Sequence, residues 1–230
     1  MTDGLEGRAG SAGSPWDFDY RERGRIWGDG PSELLKATLP LVRRAAAEKG
    51  RLRVLDIGCG YGRDVAVLIS QVDADVLAVD PSCVAVEMAR ARIPADAAVE
   101  VRCCGYADVD EAEGPFDVVM VSALYQLLRP PARGALREAV GRLLAPGGRL
   151  LLSAMSPRDP QHFGRGTPVA GEERSFVDAT YIHFCDREEL LDDFAFLDVR
   201  ELREVEAEEH QSTGVVHHHV WWVMVAGRAG

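Results

Sequence analysis

The chain has 230 residues, of which 47% are hydrophobic and 27% charged, enough to bury one substantial core as a single domain with additions. Its 37 acidic and 26 basic residues give a formal net charge of −11, which disfavours nucleic acid and favours a small molecule as the partner. No apolar run approaches the roughly 18 residues of a membrane span, and the amino terminus lacks a signal peptide's basic and apolar segments. We therefore expect a cytoplasmic protein without membrane contact, either a monomer or a homodimer.

Five cysteines form an odd-numbered set without CxxC spacing. In a chain without secretory features, this pattern argues against a disulfide framework and against a structural zinc site. The sequence therefore predicts reduced thiols at Cys59, Cys83, Cys103, Cys104 and Cys185.

The first 50 residues divide into a tail and a helical region. Residues 1–15 are rich in Gly, Ser and Ala, which predicts a loose tail. Residues 16–50 are predicted to form a helical cap, in which Ser32 begins a helix with apolar residues at helical spacing. Pro40 should bend or divide this helix, and Gly50 should end it.

After Arg51, short apolar runs alternate with amphipathic segments. This pattern predicts a doubly wound α/β domain over residues 51–230, with a mostly parallel seven-stranded sheet and a carboxy-terminal antiparallel hairpin. Five strands are expected near residues 54–57, 76–79, 99–101, 118–121 and 150–152, and the hairpin near 196–202 and 215–226. The helices between them are expected near 64–69, 83–92 and 132–144, with one more from Asp186 to about Phe194.

A segment punctuated by proline and glycine, at about residues 156–180, interrupts this rhythm. It lacks core periodicity, so it predicts a long loop, and such loops are often functional.

The segment from Asp56 to Gly62, DIGCGYG, places glycines directly after a predicted buried strand. Glycine permits a sharp turn there and lets a ligand lie against the bare main chain. Asp80 ends the next strand, where its carboxylate can accept hydrogen bonds from ribose hydroxyls. The spacing is GxGxG and not the dinucleotide-binding GxGxxG, which argues against a nucleotide-dependent oxidoreductase.

Together with Pro146, Gly147 and Gly148, these motifs resemble those of class I S-adenosylmethionine-dependent methyltransferases. More narrowly, IWGDGPSELL, SPRDPQHFGRGTP and HHHVWWVMVA resemble small bacterial tellurite-resistance and thiopurine methyltransferases. The resemblance implies S-adenosylmethionine as cofactor and methyl transfer to O, N or S/chalcogen of a small acceptor, in biosynthesis or detoxification. It assigns the cofactor to Asp56, Gly58, Cys59, Gly60, Arg63, Asp80, Pro81, Tyr106, Ala107 and Ser122.

The adenine region departs from the family pattern, in which an acid often follows strand three. Here the chain reads Cys104-Gly105-Tyr106-Ala107-Asp108, so either Tyr106 packs or stacks there or Asp108 reaches back. Arg63 meets the cofactor carboxylate or is simply a solvated helix residue. Acceptor contacts are expected from Tyr20, Trp27, Tyr125, His162 and Tyr181.

All six histidines follow residue 160, towards the expected acceptor end. On a strand, His217 and His219 share one face and His218 takes the other. We expect His183, His217 or His219 to act as a base or orienting group, against the alternative that these side chains are solvated or only structural. We expect no metal site.

Two other functions stay open from the sequence. One is a non-catalytic sensor that binds S-adenosylmethionine or a nucleotide. The other is a methyltransferase acting on arsenite through the soft thiolates of Cys103 and Cys104, although buried cysteines usually pack as small apolar groups.

Overall fold

The computed structural model describes residues 14–210 and 216–229, so nearly all of the predicted tail lies outside it. The strands are β1 (Leu52–Ile57), β2 (Ala74–Asp80), β3 (Val99–Cys103), β4 (Phe116–Val121), β5 (Leu144–Met155), β6 (Thr167–Pro168), β7 (Ser175–Val177), β8 (Tyr181–His183), β9 (Asp198–His210) and β10 (Val216–Gly227). The helices are α1 (Trp16–Arg23), α2 (Glu33–Lys49), α3 (Arg63–Ile69), α4 (Cys83–Arg92), α5 (Pro130–Leu143) and α6 (Arg187–Asp193).

Seven strands form one sheet in the order β3-β2-β1-β4-β5-β10-β9. The first five strands pair in parallel, whereas β10 is antiparallel to both β5 and β9. The predicted fold class, a doubly wound parallel sheet with an antiparallel hairpin, is confirmed.

Both faces of the sheet are covered because alternate strand residues point to opposite sides. Val54 and its neighbours pack against apolar side chains of α2, α3 and α4, such as Leu35 of α2. Leu55 and its neighbours pack against α5 and α6, represented by Leu136 and Leu190. Within the described residues, no helix is both long and apolar enough to cross a membrane.

Helix α2 begins and ends as predicted, with the Ser32 hydroxyl accepting a hydrogen bond from the Leu35 amide and Gly50 at the carboxy-terminal cap. Of the two effects predicted for Pro40, bending or dividing the helix, division is not observed, because α2 continues through it. Pro40 and Lys36 are both exposed. The Lys36 carbonyl, which loses its amide partner at Pro40, therefore lies on the solvent side, where water can replace that hydrogen bond.

The segment near residues 156–180 is not the structureless loop that its composition predicted. It contains β6 and β7, which form a small antiparallel sheet with β8 directly after the segment. At Gly166, where φ is +81°, an added Cβ would lie 2.5 Å from the Val177 carbonyl oxygen. The glycine thus allows two segments of main chain to approach closely. The strands are only two or three residues long, which is too short to give a detectable alternation of apolar residues in the sequence.

The prediction of five reduced thiols is also wrong. Cys83 and Cys103 form a disulfide, whereas Cys59, Cys104 and Cys185 are free. The two bonded cysteines are 20 residues apart in sequence. Parallel pairing of β2 with β3 sets Cys103 beside Asp80, and α4 begins with Cys83 just beyond. The fold brings together two cysteines whose sequence spacing gives no signal.

Candidate active site

The glycine turn follows β1 at the carboxyl end of the sheet. Gly58 and Gly60 have φ angles of 76° and 53°, in the left-handed region that favours glycine. A Cβ on Gly60 would lie 3.1 Å from the Tyr20 hydroxyl, and one on Gly58 would lie 3.1 Å from a Leu124 methyl group. A side chain at either position would therefore crowd Tyr20 or Leu124. Glycine avoids this contact and leaves the main chain of the turn accessible.

Asp80 is buried at the end of β2, and its carboxylate organises this turn. Its Oδ2 accepts a hydrogen bond from the Gly60 amide at 2.9 Å, and its Oδ1 accepts one from the Ser82 amide at 2.8 Å. Burial raises the pKa of Asp80 to about 6, against the lowering effect of these two amides. Asp56 at the end of β1 is also buried, and burial raises its pKa well above the usual range.

A crevice of about 900 Å³ opens at the carboxyl ends of β1, β2 and β4. Open parallel sheets commonly bind ligands at this edge, and the volume matches that of small-molecule sites. Most of the predicted cofactor residues line it: Asp56, Gly58, Cys59, Gly60, Arg63, Asp80, Pro81, Tyr106 and Ser122. Ala107 does not line the crevice and is exposed.

Helix α1 lies over the crevice, with Trp16 and Tyr20 among its lining residues. The buried hydroxyl of Ser82 donates to Asp17 at 2.6 Å, which fixes α1 to the start of α4 just after Asp80. Tyr20 and Trp27, both predicted to contact the acceptor, therefore line the crevice from the side of the glycine turn.

Arg63 follows the glycine turn and lines the crevice, where its guanidinium donates to the Trp27 carbonyl at 2.7 Å. Tyr106 packs at the wall next to Cys104 and Gly105. Its hydroxyl donates to the Ala132 carbonyl, and burial raises the pKa of Tyr106 to about 12. Asp108 instead accepts from the Gly105 amide and does not line the crevice. Tyr106 therefore packs in the crevice wall, whereas the Asp108 carboxylate is directed at the Gly105 amide.

Two buried polar atoms in the crevice wall have no hydrogen-bond partner among the described residues: Ser122 Oγ and Gln126 Oε1. Such atoms are costly unless a ligand or water satisfies them. The sequence analysis named Ser122 but missed Gln126 and the neighbouring wall residues Leu124, Leu127 and Leu128. An apolar run after β4 was the only signal for them, and it resembles ordinary core.

Three histidines meet at the other end of the crevice. His217 and His219 project from one face of β10 and, with His162 from the segment before β6, line the crevice, whereas His218 is exposed on the opposite face. The predicted alternation is therefore observed. The ring centroids of His162 and His219 lie 5.0 Å apart, and those of His162 and His217 lie 5.5 Å apart.

Asp159, which the sequence analysis did not single out, connects two of these rings. Its buried Oδ2 lies 2.9 Å from His219 Nδ1, and its Oδ1 lies 3.3 Å from His162 Nδ1. Burial alone would raise the pKa of Asp159, but hydrogen bonds from His162 and His219 hold it below the usual range. The short spacing in Asp-Pro-Gln-His, typical of an Asx turn, was the available signal.

His183 does not line the crevice, contrary to its predicted role as a base or orienting group. It is buried, with Nδ1 lying 2.8 Å from Ser175 Oγ and Nε2 lying 2.7 Å from Glu189 Oε1. Burial favours a raised pKa for Glu189, but the His183 contact and Arg174 lower it to about 2. Because both ring nitrogens have protein partners, His183 holds β8 against α6.

Tyr125 and Tyr181, predicted to contact the acceptor, are also directed elsewhere. Tyr125 is fully buried and donates to Asp193 at 2.5 Å. The Tyr181 hydroxyl donates to Glu172 at 2.7 Å, and Arg129 lies over the ring. Neither residue lines the crevice. Both tyrosine rings pack within the protein, and each hydroxyl has a carboxylate as its hydrogen-bond partner, as is usual for buried tyrosines.

The sheet order and the glycine turn give this chain the fold of the class I S-adenosylmethionine-dependent methyltransferases. A solved structure with this fold is that of the 1,6-didemethyltoxoflavin-N1-methyltransferase of Burkholderia thailandensis, with bound 1,6-didemethyltoxoflavin and S-adenosylhomocysteine. It is 20% identical to this chain with a TM-score of 0.63, and the match covers 97% of this chain and 94% of the other.

Residues 54–148 match the family described as "Methyltransferase domain". The chain is 34% identical over 146 residues to a protein-L-isoaspartate O-methyltransferase of Methylorubrum populi. This match covers 62% of this chain and 64% of the other. It is 32% identical over 145 residues to a ubiquinone biosynthesis O-methyltransferase of Xanthomonas oryzae pv. oryzae, at 60% and 59% coverage. The matches thus span about three fifths of these curated relatives.

Proposed function

We propose that this protein transfers a methyl group from S-adenosylmethionine to a small-molecule acceptor. The observation that carries the proposal is one continuous crevice, which joins the Gly58–Gly60 turn and Asp80 at one end to three histidines at the other. A donor site and a polar acceptor site in one cavity are what a group-transfer reaction requires, because rate depends on holding the two reactants in line.

The residues present fit the cofactor. Open main chain at Gly58 and Gly60 suits close approach of a ligand, and Asp80 offers a carboxylate for ribose hydroxyls. Ser122 Oγ supplies a buried polar atom that needs a partner. When bound, S-adenosylmethionine supplies a methyl group that is already activated by a sulfonium. The chain's own work is therefore binding, alignment and exclusion of water, the last by α1 over the crevice.

The size of the crevice supports a small acceptor, since about 900 Å³ must accommodate both reactants. The names of the similar proteins mention ubiquinone biosynthesis, protein L-isoaspartate and 1,6-didemethyltoxoflavin, so they do not fix one acceptor class. We assign the acceptor to the end lined by His162, His217 and His219, beside the aromatic ring of Trp221.

The histidines at this end promote loss of the acceptor's proton. His219 is the best placed, because Asp159 lies against its Nδ1 at 2.9 Å. With the proton of the neutral ring on Nδ1 and directed at that carboxylate, the basic lone pair of the ring is on Nε2. His183, which packs behind the wall, has no part in this role.

Titration calorimetry with S-adenosylhomocysteine tests the donor site. The purified protein should bind it, and Asp80→Ala should weaken binding by at least tenfold, since each hydrogen bond to a charged group contributes about 1.5–3 kcal/mol. Asp75→Ala, on the exposed part of the same strand, is the matched control and should bind as the wild type does.

Absence of binding to protein freed of bound ligand would overturn the proposal. With binding established, an acceptor panel should be screened for products heavier by one methylene unit. Binding without product from any acceptor would instead favour a cofactor sensor.

A further inference from the structure

The imidazoles of His162, His217 and His219 form a nearly equilateral triangle. Their ring centroids lie 5.0, 5.5 and 5.6 Å apart. One ring nitrogen from each residue lies within 4.8 Å of the other two. Three imidazoles from two separate segments of the chain therefore converge on one point of the crevice wall.

This triangle has the dimensions of a three-histidine metal site. A tetrahedral Zn²⁺ lies about 2.0–2.1 Å from each imidazole nitrogen, which places the three ring centroids roughly 5 Å apart. The centroid separations of 5.0 to 5.6 Å are close to this value, and the ring nitrogens, which lie within 4.8 Å of one another, would approach to about 3.3 Å on binding a tetrahedral ion. Three protein ligands leave a fourth position, the arrangement typical of catalytic rather than structural zinc.

Asp159 supplies the outer carboxylate that such sites usually contain. Its side chain is fully buried, and backbone amides fix it independently of the rings: those of His162 and Gln161 donate to Oδ1 at 2.8 and 3.0 Å, and that of Val220 donates to Oδ2 at 3.3 Å. The carboxylate faces Nδ1 of both His162 and His219. With a proton on each Nδ1 directed at this carboxylate, the two rings are oriented and Nε2 is the nitrogen of each that would bind a metal ion.

We propose that His162, His217 and His219 bind one divalent transition-metal ion of the Zn²⁺ class at the acceptor end of the crevice. Imidazole nitrogens suit Zn²⁺, Co²⁺ and Ni²⁺, whereas Mg²⁺ and Ca²⁺ prefer oxygen ligands. The site takes its fourth ligand from the acceptor. This last point rests on the proposed function, and it favours an acceptor with an ionisable oxygen, whose pKa the ion lowers so that its proton leaves to solvent. With the ion bound, Nε2 of His219 is a metal ligand, so the ion replaces His219 as the group that promotes loss of the acceptor's proton.

A second group of potential ligands, His183, Cys185 and Glu189, does not share these properties. Arg174 Nη2 lies 3.0 Å from Glu189 Oε2, and Arg133 Nη2 lies 3.8 Å from its Oε1. Two guanidinium groups already balance this carboxylate and repel a cation. The group also does not line the crevice, so the proposal concerns the three-histidine site alone.

The test uses the whole chain without an affinity tag, treated with a chelator and then titrated with Zn²⁺ by calorimetry. We expect one ion per chain in the wild type. His217→Ala should weaken binding by at least tenfold, and Asp159→Asn by about 10–100-fold, as removal of an outer carboxylate typically does. His218→Ala is the matched control, because His218 lies on the opposite, exposed face of β10 and should leave Zn²⁺ binding unchanged.

Co²⁺ gives a second readout that does not depend on activity, since a tetrahedral three-imidazole site produces intense visible absorption that His217→Ala should abolish. Binding of S-adenosylhomocysteine, measured on the same metal-free samples, confirms that each variant is folded. Failure of the wild type to bind Zn²⁺, or equal binding by His217→Ala, would overturn the metal site while leaving the proposed methyl transfer intact. Conversely, if the wild type binds Zn²⁺ but does not bind S-adenosylhomocysteine, the proposed methyl transfer would be overturned and the metal site would stand.

Discussion

The Gly60 amide donates a 2.9 Å hydrogen bond to Asp80, so the acid assigned to the ribose also fixes the glycine turn. The other carboxylate oxygen accepts from Ser82, which in turn holds Asp17 of α1. One buried carboxyl group therefore connects the turn, the start of α4 and the helix that covers the crevice. Its protonation state should affect both ligand binding and stability.

Binding of S-adenosylhomocysteine should weaken as pH falls through about 6, the pKa of Asp80 in the unliganded protein. Below this pH the carboxyl group holds a proton and accepts hydrogen bonds less well, so affinity should approach a tenfold loss per pH unit. Calorimetry between pH 5 and 8 measures this. Asp80→Asn should bind weakly with a flatter profile, and a wild-type profile that is flat across this range would contradict the assignment.

The same pKa has the opposite consequence for the unliganded fold. The pKa of Asp80 is raised from an ordinary value of 3.8, so the folded state retains its proton to higher pH than the unfolded chain does. Stability from this group is fully present below about 3.8 and is lost as pH rises through about 6. Denaturant unfolding at pH 4 and pH 7 should therefore show that the wild type loses stability relative to Asp80→Asn between the two pH values, because asparagine does not titrate.

The proximity of the glycine turn and Asp80 could be predicted from sequence because it depends on local rules. Glycines after a buried strand and an acid at the end of the next strand are adjacent in any parallel sheet of this kind. The histidine end of the crevice depends on contacts between distant segments. Asp159 meets His219 across 60 residues, and His183 turns away because Ser175 and Glu189 hold it. Strand alternation predicted which face His217 and His219 share, but not what that face meets.

Reduction of the Cys83–Cys103 disulfide should destabilise the protein. The bond closes a loop of 20 residues, which in the chain-entropy model corresponds to about 3 kcal/mol. Cys103→Ser should lower the unfolding midpoint under oxidising conditions and should remove its response to reductant. Cys104→Ser, at a neighbouring free thiol, is the control. A wild-type midpoint that does not respond to reductant, or intact protein lacking the mass loss of two hydrogen atoms, would show that the bond does not form.

Ser82 and Ser32 perform the same local task at two different helices, which makes them a matched pair. Each hydroxyl caps its helix and donates to a carboxylate, Ser82 to Asp17 at 2.6 Å and Ser32 to Asp64 at 2.5 Å. Each change to Ala should cost about 1–3 kcal/mol of stability. Only Ser82→Ala releases α1 from the crevice, so it should weaken S-adenosylhomocysteine binding more than Ser32→Ala does. Equal affinities in the two variants would show that α1 does not contribute to binding.

His183→Ala should affect stability and not ligand binding. The His183 contact and Arg174 lower the pKa of Glu189 to about 2, from an ordinary 4.5. This contribution is present above about 4.5 and is lost as pH falls towards 2, so the wild type should be stabilised over the variant mainly above that range. We expect a loss of about 1–3 kcal/mol at neutral pH, measured by denaturant unfolding, because Glu189 and Ser175 lose a buried partner. His218→Ala, at an exposed position, should change neither property, and a His183→Ala protein of wild-type stability with weakened S-adenosylhomocysteine binding would return His183 to the site.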